Sequence, residues 1–311
     1  MRVAIIGTGS LGCLLGARLA AHAEVFVLGS WTHGVDAINK HGIRVEANGV
    51  VETVQVNAGV DPLQFASATA AVLAVKSWQT ESAARLAAGV LDSDGLAVTL
   101  QNGLGNLEKL ANCVGSERAV AGTTTQGATM LAPGYVRYGG GGETCFALCA
   151  STRVRLQKLA TLFEDAGLPT RLTVELEGLL WGKLAISAGI NALTALLHIP
   201  NGELLSRPDA SEIMLAAVRE TEAVATTLGV EMPFDASEEV SKVAASTGSN
   251  FSSMMQDMVR GAPTEIDAIN CAIVREAVRH GVSTPVNDML CKLVRAAQNK
   301  DKNHENGLYS A

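Results

Sequence analysis

The chain has 311 residues, of which 48% are apolar and 18% are charged, and its formal net charge is −7. This length predicts roughly two domains, and the apolar fraction is ample for sizeable cores, which excludes a disordered chain. A negative charge without a basic run argues against nucleic acid and anionic membranes as partners.

The start of the chain and its longest apolar stretch indicate a soluble, cytoplasmic protein. The residues before Gly7 are fewer than the about 7–15 apolar residues of a secretory signal. The stretch 184–197 contains Ser187, Asn191 and Thr194 and is shorter than the about 20 residues of a membrane span. We therefore predict a buried helix there and expect no targeting or membrane-spanning segment.

The six cysteines are scattered through a long chain, which is not typical of a disulfide framework. No histidine accompanies them at metal-ligand spacing, so no metal site is predicted. We predict reduced thiols that fill small apolar sites: Cys13, Cys113, Cys145, Cys149, Cys271 and Cys291.

Short apolar runs alternate with helical stretches over residues 1–173. Strands are predicted over 3–6, 24–28, 71–75 and 97–100, and a helix over 10–22. The continuous apolar runs are typical of strands buried on both faces, so the rhythm predicts an α/β fold with a Rossmann-type doubly wound parallel sheet. An antiparallel hairpin is expected over 135–148, and a short strand over 170–173 ends this dinucleotide-binding domain.

The pattern from residue 174 to residue 311 is helical throughout. Helices are predicted over 175–197 and 211–228, from Thr264 to Gly281, and from Pro285 onwards. We therefore expect a second, all-helical domain over 174–311 that supplies substrate-binding and catalytic residues. A cleft between the two domains is the expected place for a ligand.

A glycine-rich loop, Gly7-Thr8-Gly9-Ser10-Leu11-Gly12, joins the first strand to the first helix. Gly7 allows the tight turn, Gly9 lets the backbone approach a pyrophosphate, and Gly12 lets helix and strand pack closely. Free amides and the positive end of the helix would hold the phosphates. A purely structural glycine turn is the alternative, but the position directly after a buried strand favours dinucleotide binding.

The residues after the second strand bear on the choice between NAD and NADP. An acid there would bind the ribose hydroxyls of NAD, whereas an Arg would favour the 2′-phosphate of NADP. Neither is present, and Ser30, Thr32 and His33 could instead hydrogen-bond a phosphate. The missing acid removes the main repulsion of NADP, but these residues alone leave both NADP and NAD open.

Polar residues follow two predicted strands at the edge where parallel sheets bind ligands. Lys76 comes directly after the strand 71–75, and Asn102-Gly103 follows the strand 97–100. Lys76 and Asn102 are therefore candidate cofactor contacts. The alternatives are a solvated loop charge for Lys76 and an ordinary turn for Asn102-Gly103, since both residues of that pair tolerate positive φ.

Lys183 begins a polar stripe on the most apolar helix. Ser187 and Asn191 follow four and eight residues later, which keeps them within about 80° of Lys183 on the helix surface. Polar groups buried without partners are destabilising, so a ligand-facing lysine would explain the stripe. A lysine that extends to solvent above a satisfied buried Asn191 is the alternative.

Short polar residues and an acid lie around helix starts in the last third of the chain. Asn250 and Ser253 occupy one helix entrance, and Glu265 lies in the first predicted turn of the helix that Thr264 opens. They are candidate ligand-binding residues. Capping and helix-dipole chemistry, worth about 0.3–1 kcal/mol, is the alternative for Glu265.

Further motifs accompany the glycine loop in a specific order and spacing. They are Lys76-Ser77-Trp78-Gln79, Gln101-Asn102-Gly103-Leu104-Gly105, Gly122-Thr123-Thr124-Thr125, Leu180-Trp181-Gly182-Lys183-Leu184, Ile190-Asn191-Ala192-Leu193-Thr194-Ala195-Leu196, Pro200-Asn201-Gly202-Glu203-Leu204, Ser252-Ser253-Met254-Met255-Gln256-Asp257 and Thr264-Glu265-Ile266-Asp267. With these motifs, the chain resembles the ketopantoate reductase (2-dehydropantoate 2-reductase) family over nearly its whole length.

The resemblance implies NADPH-dependent reduction of ketopantoate to pantoate, a step of pantothenate and coenzyme A synthesis. It implies that Lys183 is the general acid, that Glu265 positions the reacting groups, and that Asn102 contacts cofactor and substrate. The implied substrate-binding residues are Asn102, Lys183, Ser187, Asn191, Asn250 and Ser253. The implied cofactor-binding residues are Gly7, Thr8, Gly9, Ser10, Leu11, Gly12, Lys76 and Asn102.

Two departures from the family pattern leave other functions open. Ser187 stands where members commonly place Asn, and the Arg expected after the second strand is missing. The alternatives are a related two-domain reductase acting on another 2-oxo acid or an imine, and a non-catalytic dinucleotide sensor. The sequence also leaves open whether the protein is a monomer or a homodimer.

Overall fold

The computed structural model describes residues 1–298, so residues 299–311 of the predicted helical domain lie outside the described part. The chain forms two compact units. The first comprises Met1–Gln101 and Gly105–Leu176, and the second comprises Asn102–Leu104 and the chain from Glu177 onwards. Residues 102–104, which were predicted to belong to the first domain, pack with the helices of the second unit.

Twelve strands lie in the described part of the first unit. They are β1 (Arg2–Ile6), β2 (Glu24–Leu28), β3 (Ile43–Ala47), β4 (Val50–Val54), β5 (Asn57–Gly59), β6 (Ala68–Leu73), β7 (Leu91–Thr99), β8 (Ala119–Thr124), β9 (Ala128–Ala132), β10 (Tyr135–Tyr138), β11 (Thr144–Ala147) and β12 (Thr170–Thr173). Eight of them form one sheet in the order β12-β11-β8-β7-β6-β1-β2-β5. From β8 to β5 all neighbours are parallel, which confirms the predicted doubly wound α/β fold.

Helices cover both faces of this sheet, which explains the continuous apolar runs in the strands. In β1, Val3 and Ile5 point into one core cluster while Ala4 and Ile6 point into another, and all four are fully buried. The helices of the first unit are α1 (Ser10–Leu19), α2 (Thr32–His41), α3 (Thr80–Val90), α4 (Asn106–Val114) and α5 (Arg153–Asp165).

The hairpin predicted over 135–148 is wrong. β10 pairs with β3 and β9 in a separate four-stranded sheet of order β4-β3-β10-β9, whereas β11 pairs with β8 and β12 in the large sheet. The glycines between β10 and β11 therefore connect two sheets and do not form a hairpin turn. β10 instead forms a hairpin with β9 through the turn at Pro133-Gly134, and the glycines that follow β10 do not show which sheet the next strand joins.

The second unit is helical. Its helices are α6 (Leu176–Leu197), α7 (Glu203–Ser206), α8 (Pro208–Thr227), α9 (Ala236–Ser246), α10 (Ser253–Val259), α11 (Asn270–His280) and α12 (Pro285–Gln298). One core cluster joins them, with α6 contributing buried residues along most of its length. By length and composition α6 could cross a membrane, but 61% of its most apolar window is buried inside the protein, as in the core helix of a soluble domain.

The prediction that all six cysteines are reduced thiols is wrong for Cys271 and Cys291, which form a disulfide between α11 and α12. Both residues are buried, and their Cα atoms are 5.4 Å apart, a normal separation for a disulfide. The pairing depends on how two neighbouring helices align, which a spacing of 20 residues does not reveal. The other four cysteines are free thiols.

Candidate active site

The glycine loop of the first unit is shaped by close backbone packing. Gly7 adopts a φ of +129°, and its amide donates to the carbonyl oxygen of Leu28 at 2.7 Å. A Cβ at Gly12 would overlap the carbonyl oxygen of Gly7, so α1 begins in direct contact with the loop. A Cβ at Gly9 would have nothing nearer than the Ala74 carbonyl oxygen at 4.0 Å.

Gly9 is the N-cap of α1 and provides no side-chain cap for the helix amides. The first amides of an α-helix lack intrahelical acceptors, and their end of the helix dipole is positive. The first turn of α1 contains no acidic residue that would oppose an anion. Open space above Gly9 and uncapped amides together form a cradle that fits a pyrophosphate.

The segment that leads from β6 to Lys76 lies next to the glycine loop. A Cβ at Gly7 would lie 2.9 Å from the carbonyl oxygen of Ala74 and 2.9 Å from Cγ1 of Val75. The buried side chain of Gln101 holds this segment. Its Nε2 donates to the carbonyl oxygens of Val75 (3.1 Å) and Lys76 (3.3 Å). Gln101, which lies two residues after the end of β7, thereby fixes the backbone at Lys76.

Gln101 belongs to a buried polar network that the sequence analysis missed. Its Nε2 also contacts the hydroxyl of Thr80 at 2.9 Å, and that hydroxyl lies 2.8 Å from Oδ1 of Asn106. Thr99 donates to Oε1 of Gln101 at 2.9 Å. A polar residue directly after the buried Leu100 was the available signal, because a buried amide needs partners.

The end of β2 presents exposed polar residues. Ser30, Thr32 and His33 are all exposed, and Thr32 begins α2. The N-terminal turn of α2 carries no acidic residue. The surface beyond β2 therefore lacks the carboxylate that would repel a 2′-phosphate.

The loop Asn102–Leu104 packs against the segment that precedes α11. Gly103 has a φ of +84°, and a Cβ on it would overlap the carbonyl oxygen of Ala268. The Leu104 amide donates to that same oxygen at 3.0 Å. This contact brings Nδ2 of Asn102 to 3.5 Å from Oε2 of Glu265.

The predicted helix from Thr264 begins later, at Asn270. Residues 265–269 form turns, in which the carbonyl oxygen of Glu265 accepts from the amides of Ala268 and Ile269. Because the Ala268 carbonyl is engaged by Leu104, the segment is shaped by its contact with the 102–104 loop. Glu265 is therefore a buried residue on a loop, 5% exposed, and not a helix-capping acid.

Lys183 lies in the first half of α6 and is half-buried. Its pKa is lowered from 10.5 to about 8, because burial lowers it by more than the facing carboxylate of Glu265 raises it. A lysine with a pKa near neutrality holds a proton that it can readily give away. The structure thus brings together Lys183, Glu265 and Asn102, three of the residues singled out from sequence.

Ser187 and Asn191 continue the partly exposed stripe of α6 beyond Lys183. The entrance of α10 meets the same helix, because the hydroxyls of Thr194 and Ser252 are 2.7 Å apart. Ser252 also caps α10 by accepting from the Met255 amide at 3.1 Å. Ser253, the next residue, is exposed at the start of α10.

Asn250 is exposed, and its segment is held by the residues that follow α6. Its carbonyl oxygen accepts from the Asn201 amide at 3.0 Å, and the Gly248 carbonyl accepts from the Gly202 amide at 3.1 Å. A Cβ on Gly202 would lie 2.8 Å from Cα of Gly248, so the two backbones need glycine at this approach. The structure therefore gives the exposed Asn250 a fixed backbone.

Two family models match the two parts of the chain. Residues 3–150 match the model described as ketopantoate reductase PanE/ApbA, and residues 175–298 match the model of its C-terminal part. The 2-dehydropantoate 2-reductase of Halobacterium salinarum is 38% identical over 301 residues, which cover 96% of this chain and 99% of that protein. The enzyme of the same name from Archaeoglobus fulgidus is 35% identical, with 96% and 98% covered.

Solved structures agree with these relatives. A PanE/ApbA family ketopantoate reductase from Ralstonia eutropha superposes with a TM-score of 0.90 at 32% identity, covering 97% of this chain and 100% of that one. D-mandelate dehydrogenase in a ternary structure with NADH and anilino(oxo)acetate also has a TM-score of 0.90, at 26% identity, covering 96% of this chain and 99% of that one. The resemblance inferred from the motifs is confirmed: the chain belongs to the ketopantoate reductase family of dinucleotide-dependent oxidoreductases.

Proposed function

We propose that the protein reduces ketopantoate to pantoate with NADPH and that Lys183 is the general acid. One observation carries the proposal: a half-buried lysine with a pKa of about 8 faces a buried carboxylate in a member of this family. A 2-oxo acid gains a hydride at its ketone carbon and a proton at its ketone oxygen. The residues of this chain must therefore provide a proton at that oxygen.

The glycine cradle of the first unit fits a dinucleotide. Residues 7–12 would hold its pyrophosphate through backbone amides, and Lys76 and Asn102 would contact the cofactor further on. When bound, the nicotinamide supplies the hydride. The absence of an acid after β2, together with exposed Ser30, Thr32 and His33, supports NADPH over NADH.

Lys183 has two tasks at the ketone oxygen. As an ammonium, it stabilises the negative charge that develops there, and it then gives up the proton held at Nζ. Glu265 keeps the ammonium charged against the effect of burial, and the Asn102 amide near Glu265 helps to fix the carboxylate. A bound substrate carboxylate would favour the charged lysine further.

The remaining polar residues of the helical unit would hold the substrate. Ser187 and Asn191 extend the stripe that begins at Lys183, and Ser253 lies at the entrance of α10 that bonds to α6. With Asn250, they offer hydroxyl and amide groups to the hydroxyl and carboxylate of ketopantoate. This reaction would place the protein among cytoplasmic enzymes of pantothenate and coenzyme A synthesis.

A steady-state assay tests the proposal. Purified protein is given ketopantoate with NADPH or NADH, and the loss of reduced-nicotinamide absorbance is followed. We expect turnover of ketopantoate and a higher kcat/KM with NADPH. Tight dinucleotide binding without turnover of any 2-oxo acid would contradict the proposal and indicate a sensor.

A second candidate is the reduction of another 2-oxo acid with NADH. It is favoured by the likeness to D-mandelate dehydrogenase with NADH and an aromatic oxo acid, at a TM-score of 0.90. Ser187 is a smaller side chain on the substrate-facing stripe than the Asn expected there, which would leave room for a bulkier substrate. Higher kcat/KM for phenylglyoxylate than for ketopantoate would favour this candidate.

A further inference from the structure

Two fully buried asparagines connect helices of the second unit. Nδ2 of Asn270, the first residue of α11, donates to the carbonyl oxygen of Ala188 in α6 at 3.1 Å and to Oδ1 of Asn287 at 3.0 Å. Asn287 lies in the first turn of α12. Both side chains are 0% exposed, so neither can exchange these bonds for water.

The connection continues into α8. Nδ2 of Asn287 donates to the carbonyl oxygen of Ala217 (2.9 Å) and to Oε2 of Glu220 (2.8 Å). The carboxylate of Glu220 also accepts from the amides of Val286 (2.8 Å) and Asn287 (2.9 Å). It therefore caps α12 from a neighbouring helix, where helix amides need acceptors and the dipole favours an anion.

The geometry at Asn270 indicates that its two donors are needed there. Both hydrogens of its amide nitrogen are engaged, whereas Oδ1 is buried without a hydrogen-bond partner among the described residues. A buried acceptor without a partner destabilises a protein. An apolar residue at position 270 would avoid this cost, so the asparagine is explained by the two hydrogen bonds that its amide nitrogen donates. The acceptor that Asn270 reaches in α6 is the carbonyl of the residue directly after Ser187.

Asn270 also ends the segment that carries Glu265. Residues 265–269 are turns, and α11 begins directly after them. The distance between this segment and α6 decides how closely Glu265 faces Lys183. Asn270 spans these two elements by hydrogen bonds, and Asn287 and Glu220 hold Asn270 from behind.

We propose that Asn270 is a positioning residue, which fixes the Glu265 segment against α6 through the buried chain Ala188–Asn270–Asn287–Glu220. The inference rests on the proposed role of Lys183. It assigns no contact with substrate or cofactor to Asn270. Its effect reaches the reaction through the placement of Glu265, the carboxylate that faces Lys183.

The experiment compares Asn270→Ala with Glu265→Gln and with the control Thr221→Val in the full-length protein. Thr221 is also fully buried, lies beside Glu220 in α8, and donates one hydrogen bond to Ala217 at 2.8 Å. Its substitution removes a buried hydrogen bond to the Ala217 carbonyl oxygen, to which Asn287 also donates, but leaves both hydrogen bonds of Asn270 in place. Four quantities are measured for each variant: the Tm, the Kd for NADPH, kcat, and the pKa of Lys183 from an NMR titration of its Cε resonance.

We expect Asn270→Ala to lower kcat about tenfold, since small misplacements of reacting groups have large kinetic effects. In Asn270→Ala the pKa of Lys183 should fall, as it should in Glu265→Gln. The Kd for NADPH should stay unchanged. Thr221→Val should lose thermal stability without moving that pKa. An Asn270→Ala protein with wild-type kcat and an unmoved Lys183 titration would overturn the inference.

Glu220→Gln provides a second test if Asn270→Ala fails to fold. Glu220 is half-buried and is the last member of the hydrogen-bonded series Ala188–Asn270–Asn287–Glu220. The substitution keeps the shape of the side chain but replaces one acceptor oxygen by a donor group. We expect a smaller fall in kcat and in the pKa of Lys183, and no change in either would overturn the inference. Because the titration reads Lys183 directly, a wild-type protein inactive on ketopantoate would instead contradict the proposed function.

Discussion

The carboxylate of Glu265 faces the ammonium of Lys183 within the helical unit and raises its pKa, whereas burial lowers it, and the net result is a pKa of about 8. The two effects oppose each other, and burial is the larger. The balance leaves a lysine that is protonated at neutral pH yet close to releasing its proton. A general acid is most effective when its pKa lies near the working pH.

The pH dependence of turnover should report this pair. Lys183 must be protonated to act, so kcat should fall as the pH rises through its pKa. Glu265→Gln removes the charge that favours the ammonium, so the alkaline limb should move to lower pH by about one unit. A kcat profile measured from pH 6 to 10 checks this, and an alkaline limb that does not move would exclude Glu265 from this role.

In a Glu265→Gln background, where no buried carboxylate loses its partner, Lys183→Met should stabilise the fold at neutral pH. The pKa of Lys183 is 10.5 when unperturbed and about 8 in the folded protein. Between these values the unfolded chain binds the proton and the folded protein does not, so this residue's contribution to stability rises with pH across the window. Below pH 8 the charged lysine is unfavourable in the fold, by about 1–3 kcal/mol after allowance for its partial exposure.

Urea unfolding at pH 7 and pH 10 measures this difference, with Lys242→Met, at an exposed site, as the control. The gain in the free energy of unfolding should be largest at pH 7 and shrink toward pH 10. A Lys183→Met/Glu265→Gln protein that is less stable than the Glu265→Gln protein at pH 7 would show that the charged lysine does not destabilise the fold.

Substitutions in the glycine loop should separate folding from cofactor binding. A Cβ at Gly9 meets open space and the residue has a φ of −75°, so Gly9→Ala should fold normally. It should nevertheless weaken dinucleotide binding by about tenfold or more, near 1.4 kcal/mol, because the methyl group occupies the place of the pyrophosphate. Gly12→Ala should instead lower the Tm, since its Cβ overlaps the Gly7 carbonyl oxygen.

Calorimetric titration with NADPH and thermal unfolding of both variants provide the measurements. If the folded Gly9→Ala protein bound NADPH with wild-type affinity, the glycine loop would have a structural role only.

The disulfide should contribute to stability. The double variant Cys271→Ser/Cys291→Ser should lower the free energy of unfolding by about 2–4 kcal/mol, because the bond closes a loop of 20 residues in the unfolded chain. Cys113→Ser, at a free thiol, is the control. Thiol titration of the denatured, unreduced protein should find two fewer thiols than the six cysteines; six titratable thiols would contradict the pairing.

The sequence was sufficient for the fold class, because residues 3–6 and 70–73 are continuous apolar runs, which are typical of strands buried on both faces. It was insufficient where distant segments meet. The pairing of β10 with β3, the partners of β11, and the pairing of Cys271 with Cys291 depend on alignments that local patterns do not encode.

The candidate site shows the same division. Helical periodicity alone placed Lys183, Ser187 and Asn191 on one stripe of α6. The contact between the Gly103 loop and Ala268, which brings Asn102 toward Glu265, joins segments more than 150 residues apart. The expected helix start at Thr264 failed for this reason, since a tertiary contact overrode a local capping pattern.

The turnover number of Lys183→Ala tests the central claim most directly. With saturating ketopantoate and NADPH at pH 7, we predict a fall in kcat of about 10²–10⁴-fold, the usual contribution of a general acid, with the Kd for NADPH unchanged. Lys242→Ala, which removes an exposed lysine, should retain the kcat of the wild type. A Lys183→Ala protein with wild-type kcat would contradict the claim that this residue provides the proton.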